Sequence, residues 1–262
     1  MTTAQAREQL IENGYLVVPE VVPSSLCEAV IDAIDAFRET WDHGSKPNEL
    51  GIVPLHHHPA LWAVRQHPGL YDVFRAIYGR DDLWVTMDRA GYKPAHDHEG
   101  QGAVHWDCDP WTQREFGVQG LVYLTDTATD QGAFACVPSI YRDLDRWCEV
   151  HEHDSNRRHP DIGEQELVRV PGSAGSLVLF HRLMPHTNTV NTSDNPRYAQ
   201  YVTMHPAGAG ETQEERERNW RDCLPPAWAI RQQVPNQVIP EPWGAAPLTA
   251  LGRKLVGVEG WS

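Results

Sequence analysis

Basic charge is scarce in this sequence, cysteine is sparse, and long apolar runs are missing altogether. Thirty-six acidic residues face 22 lysines and arginines, a formal charge of −14. Nucleic acids and anionic membranes are gripped by basic faces, so this balance argues against both as partners and suits a polar or cationic small molecule. No stretch approaches the roughly 18 consecutive apolar residues of a membrane span. The opening MTTAQAREQLIENG has no apolar signal core, so a soluble, cytoplasmic protein, monomer or homodimer, is expected. Five cysteines, an odd number without framework spacing, fit a reducing compartment better than a disulfide scaffold. Repeats, low-complexity tracts and linker-like stretches are also lacking, so residues 1–262 read as one domain.

What is present is core-forming material: 40% hydrophobic residues, with 10 Trp and 8 Tyr. Thr3 to Asn13 reads as a helix stopped by Gly14, followed by a short strand from Tyr15 to Val18. Ser25-Leu26-Cys27-Glu28 has the capping-box pattern and opens a helix whose apolar side is Leu26, Val30, Ile34 and Phe37. Asp42 to Leu55 reads as a loop. His56-His57-His58 also reads as surface loop, because three adjacent imidazoles cannot share one face of a strand or helix. Pro68 to Tyr78 is a further amphipathic helix, closed by Gly79.

From Leu83 onward the texture changes to short β-like runs separated by turn residues. They are Leu83 to Met87, Ala103 to Asp107, Val118 to Thr125, Ala133 to Val137, Glu166 to Val170, Ser176 to His181 and Tyr198 to Met204. Asp143 to Val150 and Glu211 to Arg221 look helical and polar, and the stretch between Glu152 and Gly163 is a charged loop. Prolines 225, 226, 235, 240 and 242 suggest an irregular C-terminal wrap. The expected fold is mainly β with flanking helices: N-terminal helices over about 1–80, a double-stranded β-helix (jelly roll) over about 83–205, and the wrap over about 206–262.

The chemistry-bearing stretch is Ala103-Val104-His105-Trp106-Asp107. On a strand, residues two apart point to the same face, which sets an imidazole beside a carboxylate. His186 lies far downstream, and Arg197 follows it by eleven residues. Two His and one carboxylate can hold Fe(II) on one side and leave positions open for other ligands. His181 is the rival for the distal histidine. Gln119, Leu121 and Tyr123 alternate on one expected strand, and Ala199, Tyr201 and Thr203 share the face of Arg197 on another.

At these residues the chain resembles the phytanoyl-CoA dioxygenase family of Fe(II)/2-oxoglutarate-dependent oxygenases. The resemblance rests on GYLVVP (14–19), HWD (105–107), QGLVYLTD (119–126), QGAFACVPS (131–139), GSLVLF (175–180) and PHTNTVNTSDNPR (185–197). It implies Fe(II), 2-oxoglutarate and O2 as cofactors, His105, Asp107 and His186 as catalytic metal ligands, and His186 over His181 because of the step to Arg197. Arg197 is then the clamp for the distal carboxylate of 2-oxoglutarate, a task suited to its planar fork. Asn188 occupies the position where relatives often place a Ser hydroxyl against that carboxylate. Gln119, Tyr123 and Met87 are co-substrate or pocket contacts. A carboxylate at Asp107 favours oxygen insertion or desaturation over halogenation.

For the primary substrate, Asp109 and Trp111 are candidates at the barrel mouth, with Arg89, Lys93, His96 and His98 on the preceding loop. Cys108 reads as a packed residue. A small polar or cationic metabolite, such as a natural-product intermediate, fits better than an acyl-CoA, whose phosphates need a basic patch. A 2-oxoglutarate-independent cupin-type metalloenzyme and a non-catalytic binding barrel are the alternatives.

Overall fold

The computed structural model describes residues 3–40, 50–99, 101–154, 156–232 and 243–261. The N-terminal third supplies α1 (Thr3–Asn13), β1 (Tyr15–Val18), α2 (Ser24–Glu39), β2 (Ile52–Val53), α3 (Pro59–Arg65) and α4 (Pro68–Tyr78). The middle holds β3 (Leu83–Val85), β4 (Ala90–Lys93), β5 (Val118–Tyr123), β6 (Phe134–Cys136), α5 (Pro138–Arg142), α6 (Leu144–Val150), β7 (Val168–Val170) and β8 (Leu177–His181). Then come β9 (His186–Asn188), β10 (Arg197–Tyr201), β11 (Met204–Pro206), α7 (Gln213–Arg221), α8 (Ala227–Gln232) and α9 (Ala250–Val256). Among the described residues no helix is long and apolar enough to cross a membrane.

The main sheet has six strands in the order β1-β8-β5-β10-β4-β2, and a smaller one runs β7-β6-β9. Every pairing is antiparallel. One face of the main sheet carries Leu16, Val118, Val122, Leu177, Leu179 and Tyr198, packed on Leu10, Val30, Ile34 and Phe74 of the N-terminal helices. The opposite face carries Leu121, Tyr123, Val178, Phe180 and Ala199, which meet Phe134, Cys136 and Val170 of the small sheet. Covering both faces explains why β8 opens with the continuous apolar run Leu177–Phe180 instead of alternating, and why Leu121, Val122 and Tyr123 are consecutive apolar residues of β5: each face of the pleat needs its own apolar set. Each such Val, Leu or Phe stabilises the fold by roughly 1.5–3 kcal/mol relative to exposure. Local chemistry fits this layering at the helix ends. Pro68 opens α4, and Gly79 closes it in the left-handed region at φ 67°. Gly14 ends α1 at φ 78°, and a Cβ there would run into Met184 Cε and the Tyr141 ring.

Several expectations are corrected. The helix after Pro23 begins at Ser24, so Ser25 lies inside its first turn, and the N-cap Pro23 provides no side-chain cap. A true capping box occurs instead at Thr212 and Glu215, opening α7. The stretch read as a loop up to Leu55 contains β2, which extends the sheet edge at β4; residues 41–49 lie outside the described residues. The segment 103–107 is no continuous strand, since only His105 makes a bridge. His56 and His57 are fully buried, not surface groups: His56 Nδ1 meets the Met87 carbonyl at 3.0 Å and His57 Nε2 that of Leu224 at 2.8 Å. His58 Nδ1 accepts from Ala60 N and caps α3. The C-terminal wrap contains α8 and α9. Arg216 donates to the Val256 and Leu255 carbonyls at the end of α9, while Trp261 stacks on Tyr71 and donates to the Leu83 carbonyl. Pro225 and Pro226 directly precede α8, and prolines 235, 240 and 242 lie outside the described residues.

Candidate metal centre

His186 opens β9 and packs against the stacked pair of Phe180 and Phe134, at centroid distances of 4.5 and 5.7 Å. His105 reaches it by adding a single residue of ladder to β9: His105 N donates to His186 O and His186 N to His105 O, both at 3.0 Å. Residues directly opposed in an antiparallel pair share a face, so the two rings lie side by side with centroids 4.6 Å apart. Trp106 points the other way. It is fully buried, its Nε1 donates to the Leu183 carbonyl at 2.8 Å, and its backbone N donates to Arg158 O. That anchor fixes the alternation, and Asp107 returns to the side of His105.

The three candidate ligand atoms lie within 4.8 Å of one another. His105 Nε2 is 3.6 Å from Asp107 Oδ1, and His186 Nε2 is 3.6 Å from Oδ2. Each Nδ1 sits 3.0 Å from a backbone carbonyl, that of Ala103 for His105 and that of Met184 for His186. A carbonyl can only accept, so each Nδ1 carries a proton and each Nε2 is the nitrogen turned to the common point, where it can ligate. Burial first, then the neighbouring His105, holds His186 down at about 4 against the pull of Asp107, so its ring is neutral near pH 7. The surrounding protein pushes the Asp107 carboxyl upward, but His186, the Gln119 amide and His105 outweigh it and leave it below its usual range. A neutral His186 and an ionised Asp107 thus face one another with the His105 Nε2 beside them, an arrangement that a cation suits. The donor set, nitrogen and carboxylate oxygen, suits Fe(II).

Gln119 Nε2 donates to Asp107 Oδ2 at 2.7 Å, which fixes the carboxylate from behind. Arg197 is 1% exposed. Its NH2 donates to Asn188 Oδ1 at 3.3 Å, its Nε is buried without a hydrogen-bond partner, and among the described residues no carboxylate pairs with it. A desolvated guanidinium with spare donors fits an incoming carboxylate. Asn188 Nδ2 donates in turn to Tyr201 OH at 3.2 Å, so Asn188 braces Arg197 through its amide oxygen. The Tyr123 hydroxyl is committed to backbone, donating to Val170 O and accepting from Phe134 N; only its ring, 5.8 Å from the Arg197 Cζ, faces the clamp. Met87 is buried in the helix-side core.

The remaining predicted residues scatter. Asp109 accepts from Trp111 N and Thr112 Oγ1, and the Trp111 indole donates to Cys148 O, so both serve a local turn and its packing. Lys93 is buried opposite Arg197 on β4, with Nζ 2.6 Å from Thr189 O. His96 and His98 are exposed, and His96 pairs with Asp194 at 3.2 Å. Arg89 lies between Tyr201 and Trp228. His181 stands apart from the ligand trio, with Nδ1 accepting from Leu183 N. Cys108 is buried. Sequence reasoning did not find the carbonyls of Ala103 and Met184 or the indole of Trp228. The first two have no residue-type signal, and the last reaches the site only through tertiary packing.

A two-histidine, one-carboxylate centre beside a buried, carboxylate-free arginine, on packed antiparallel sheets, defines a mononuclear non-haem metal enzyme of the oxygenase kind. The chain belongs to the phytanoyl-CoA dioxygenase (PhyH) family, whose model matches residues 10–199. Membership brings Fe(II), 2-oxoglutarate and O2 as the cofactor set, and the three donors and Arg197 fit it. A Dictyostelium discoideum protein bearing the same phytanoyl-CoA dioxygenase designation is 21% identical, with 74% of this chain and 72% of that protein covered. Among solved structures, the epimerase SnoN in complex with Fe3+, alpha ketoglutarate and nogalamycin RO is similar at TM-score 0.60 and 16% identity, covering 95% and 96% of the two chains. The alpha ketoglutarate-dependent carbocyclase SnoK of nogalamycin biosynthesis gives TM-score 0.57 and 22% identity over 79% and 87%. These likenesses establish a shared fold.

Proposed function

We propose that this chain is an Fe(II)- and 2-oxoglutarate-dependent oxygenase that hydroxylates or otherwise oxidises an unactivated C–H bond of a small polar metabolite. The observation that carries the reading is the convergence of two Nε2 atoms and one carboxylate within 4.8 Å, both rings locked in the ligating tautomer by backbone carbonyls. It is read as a single cytoplasmic domain in which the facing sheets form a double-stranded β-helix, with the N-terminal helices and C-terminal wrap outside. The packing of both sheets onto one apolar layer supports the β-helix, and an odd cysteine count without framework spacing supports the compartment.

When bound, iron and 2-oxoglutarate supply an O2-derived oxidant that removes a hydrogen atom from substrate, with succinate and CO2 released. His105, His186 and Asp107 would hold the metal. Gln119 keeps the Asp107 carboxylate in one orientation, and Arg197, braced by Asn188, would grip the far carboxylate of 2-oxoglutarate. Phe134 and Phe180 pack against the His186 ring and exclude water from it. Anaerobic addition of Fe(II) and 2-oxoglutarate is expected to produce a weak visible charge-transfer band that Arg197→Leu reaches only at about a hundredfold higher 2-oxoglutarate, the cost of losing a buried charged contact being roughly 3 kcal/mol. A wild-type protein that binds iron yet gives no band at any 2-oxoglutarate concentration would remove the reading.

A further inference from the structure

The buried guanidiniums of this molecule differ in how their donors are used. Arg216 is fully buried and fully employed: it donates to the carbonyls of Val256, Leu255 and Val85 and to Glu211 Oε2. Arg89 is also largely buried, its side chain 15% exposed, yet its Nε and NH1 have no hydrogen-bond partner. The neighbouring Asp88 does not fill the need. Its Oδ1 accepts from the Arg89 backbone N at 2.8 Å and stands 3.9 Å from NH1, beyond hydrogen-bond range. Two aromatic rings flank the guanidinium, Trp228 at 4.8 Å and Tyr201 at 5.8 Å from Cζ. They stabilise its charge without satisfying its N–H groups. Leaving such donors unmet and desolvated is costly.

The location ties Arg89 to the metal centre. Tyr201 shares the β10 face with Arg197, since residues two apart on a strand point the same way. Its hydroxyl accepts from Asn188, which accepts from Arg197, and its backbone N donates to Arg89 O at 3.0 Å. Arg89 therefore stands one ring, that of Tyr201, away from the Asn188–Arg197 pair that would clamp the co-substrate.

Resting on the oxygenase reading above, we propose that Arg89, walled by Trp228 and Tyr201, docks an oxyanion, carboxylate or phosphate, carried by the primary substrate. The chain's net charge of −14 points toward cationic ligands, but a formal total says nothing of the local field, and here the buried group with unused hydrogen-bond donors is a cation whose carboxylate neighbour, Asp88, stands off at 3.9 Å.

The test uses the anaerobic Fe(II)·2-oxoglutarate protein, whose visible band responds when a molecule enters beside the metal. Small carboxylates, each paired with its primary amide, and small phosphate monoesters are titrated against wild type, Arg89→Leu and Arg89→Lys. Expected is a band shift with anionic members and not their amides, weakened at least tenfold by Arg89→Leu and partly restored by Arg89→Lys, while the 2-oxoglutarate affinity of both variants stays within about threefold of wild type. Amides as effective as acids, no response from any anion, or the same response in Arg89→Leu would overturn the proposal. So would a tenfold loss of 2-oxoglutarate affinity in both variants, which would make the anion the co-substrate. Absence of the band in wild type would instead strike the underlying oxygenase reading. Melting temperatures of the variants separate misfolding from loss of a contact, and should Arg89→Leu fail to fold, Arg89→Lys alone decides: an undiminished anion response there also overturns the proposal.

Discussion

Two groups of histidines in this chain teach opposite lessons about proximity. His56, His57 and His58 are consecutive, which makes them the densest run of potential metal ligands, yet each turns to a different structural duty. One meets the Met87 carbonyl, one the Leu224 carbonyl, and one caps α3. His105 and His186 are far apart in sequence, and a single bridge sets their rings side by side with Asp107 between their Nε2 atoms. The three consecutive histidines lie in the turn before α3, where their side chains diverge, whereas cross-strand partners share a face. Nearness along the chain therefore works against a shared ligand point, and pairing across strands works for it.

The sharpest way to break this comparison is to exchange the two fates. His186→Ala is expected to abolish stoichiometric iron binding and to lower 2-oxoglutarate decarboxylation by roughly three orders of magnitude or more, because a ligand acts in every turnover. His57→Ala should leave iron content near wild type but lower stability by about 2–4 kcal/mol, seen as a drop in Tm of roughly 5–12 °C, since it deletes a buried hydrogen-bonding ring. Iron analysis beside thermal melts checks both, and loss of iron in the His57 variant with an unchanged Tm would reverse the assignment.

A smaller effect is expected at Gln119, whose amide steadies Asp107 at 2.7 Å. Gln119→Leu keeps the bulk and removes the donor, and iron affinity should fall about 10- to 100-fold while the fold persists. Competition with a chelator of known affinity reads that number, and an unchanged affinity would show that Asp107 needs no such brace.

The smallest expected effect, per step, is the pH dependence of stability. Burial first, with nearby arginine charge opposing protonation, lowers His56 to about 3 and His57 to about 4. Below pH 6.5 the unfolded chain binds protons on these rings while the folded chain does not. Stability is therefore full above that pH and falls as pH drops from about 6.5 toward 4, by up to roughly 1.4 kcal/mol per pH unit for each ring. Denaturant titrations between pH 7.5 and 4.5 should show that slope, and His57→Gln should make it shallower. An identical slope in the variant would mean the ring is not held neutral.

Much of the scaffold was legible in local pattern. α1 and α4 have the bounds their periodicity and glycine stops indicate, and the runs expected as strands at 118–125 and 176–181 contain β5 (Val118–Tyr123) and β8 (Leu177–His181). These elements carry their signal within one window of sequence: a face, a stop, a run. The failures were of another kind. β4 is a strand because β10 offers an edge to pair with, and β2 because β4 does in turn; their own residues say little. The prolines near the C-terminus hide α9, which is held by Arg216 from another helix. At the site, the ligand residues were legible because metal chemistry restricts which side chains can serve. The bracing carbonyls of Ala103 and Met184 and the indole beside Arg89 were not, since backbone and packing groups have no distinctive letter, and Gln119, named as a co-substrate contact, sets its amide on Asp107.

The sequence by itself determined the chemical inventory: which imidazoles, carboxylate and guanidinium are available, in what order, and which stretches must be helix or buried strand. Only the tertiary structure decided that His105 and His186 face one point, that His56 and His57 are sealed in the interior, and that Arg89 is left with unspent donors. The physical reason is range. Residue type and periodicity act over a few positions, whereas a ligand point, a buried ring and an unmet charge are properties of groups brought together from distant parts of the chain.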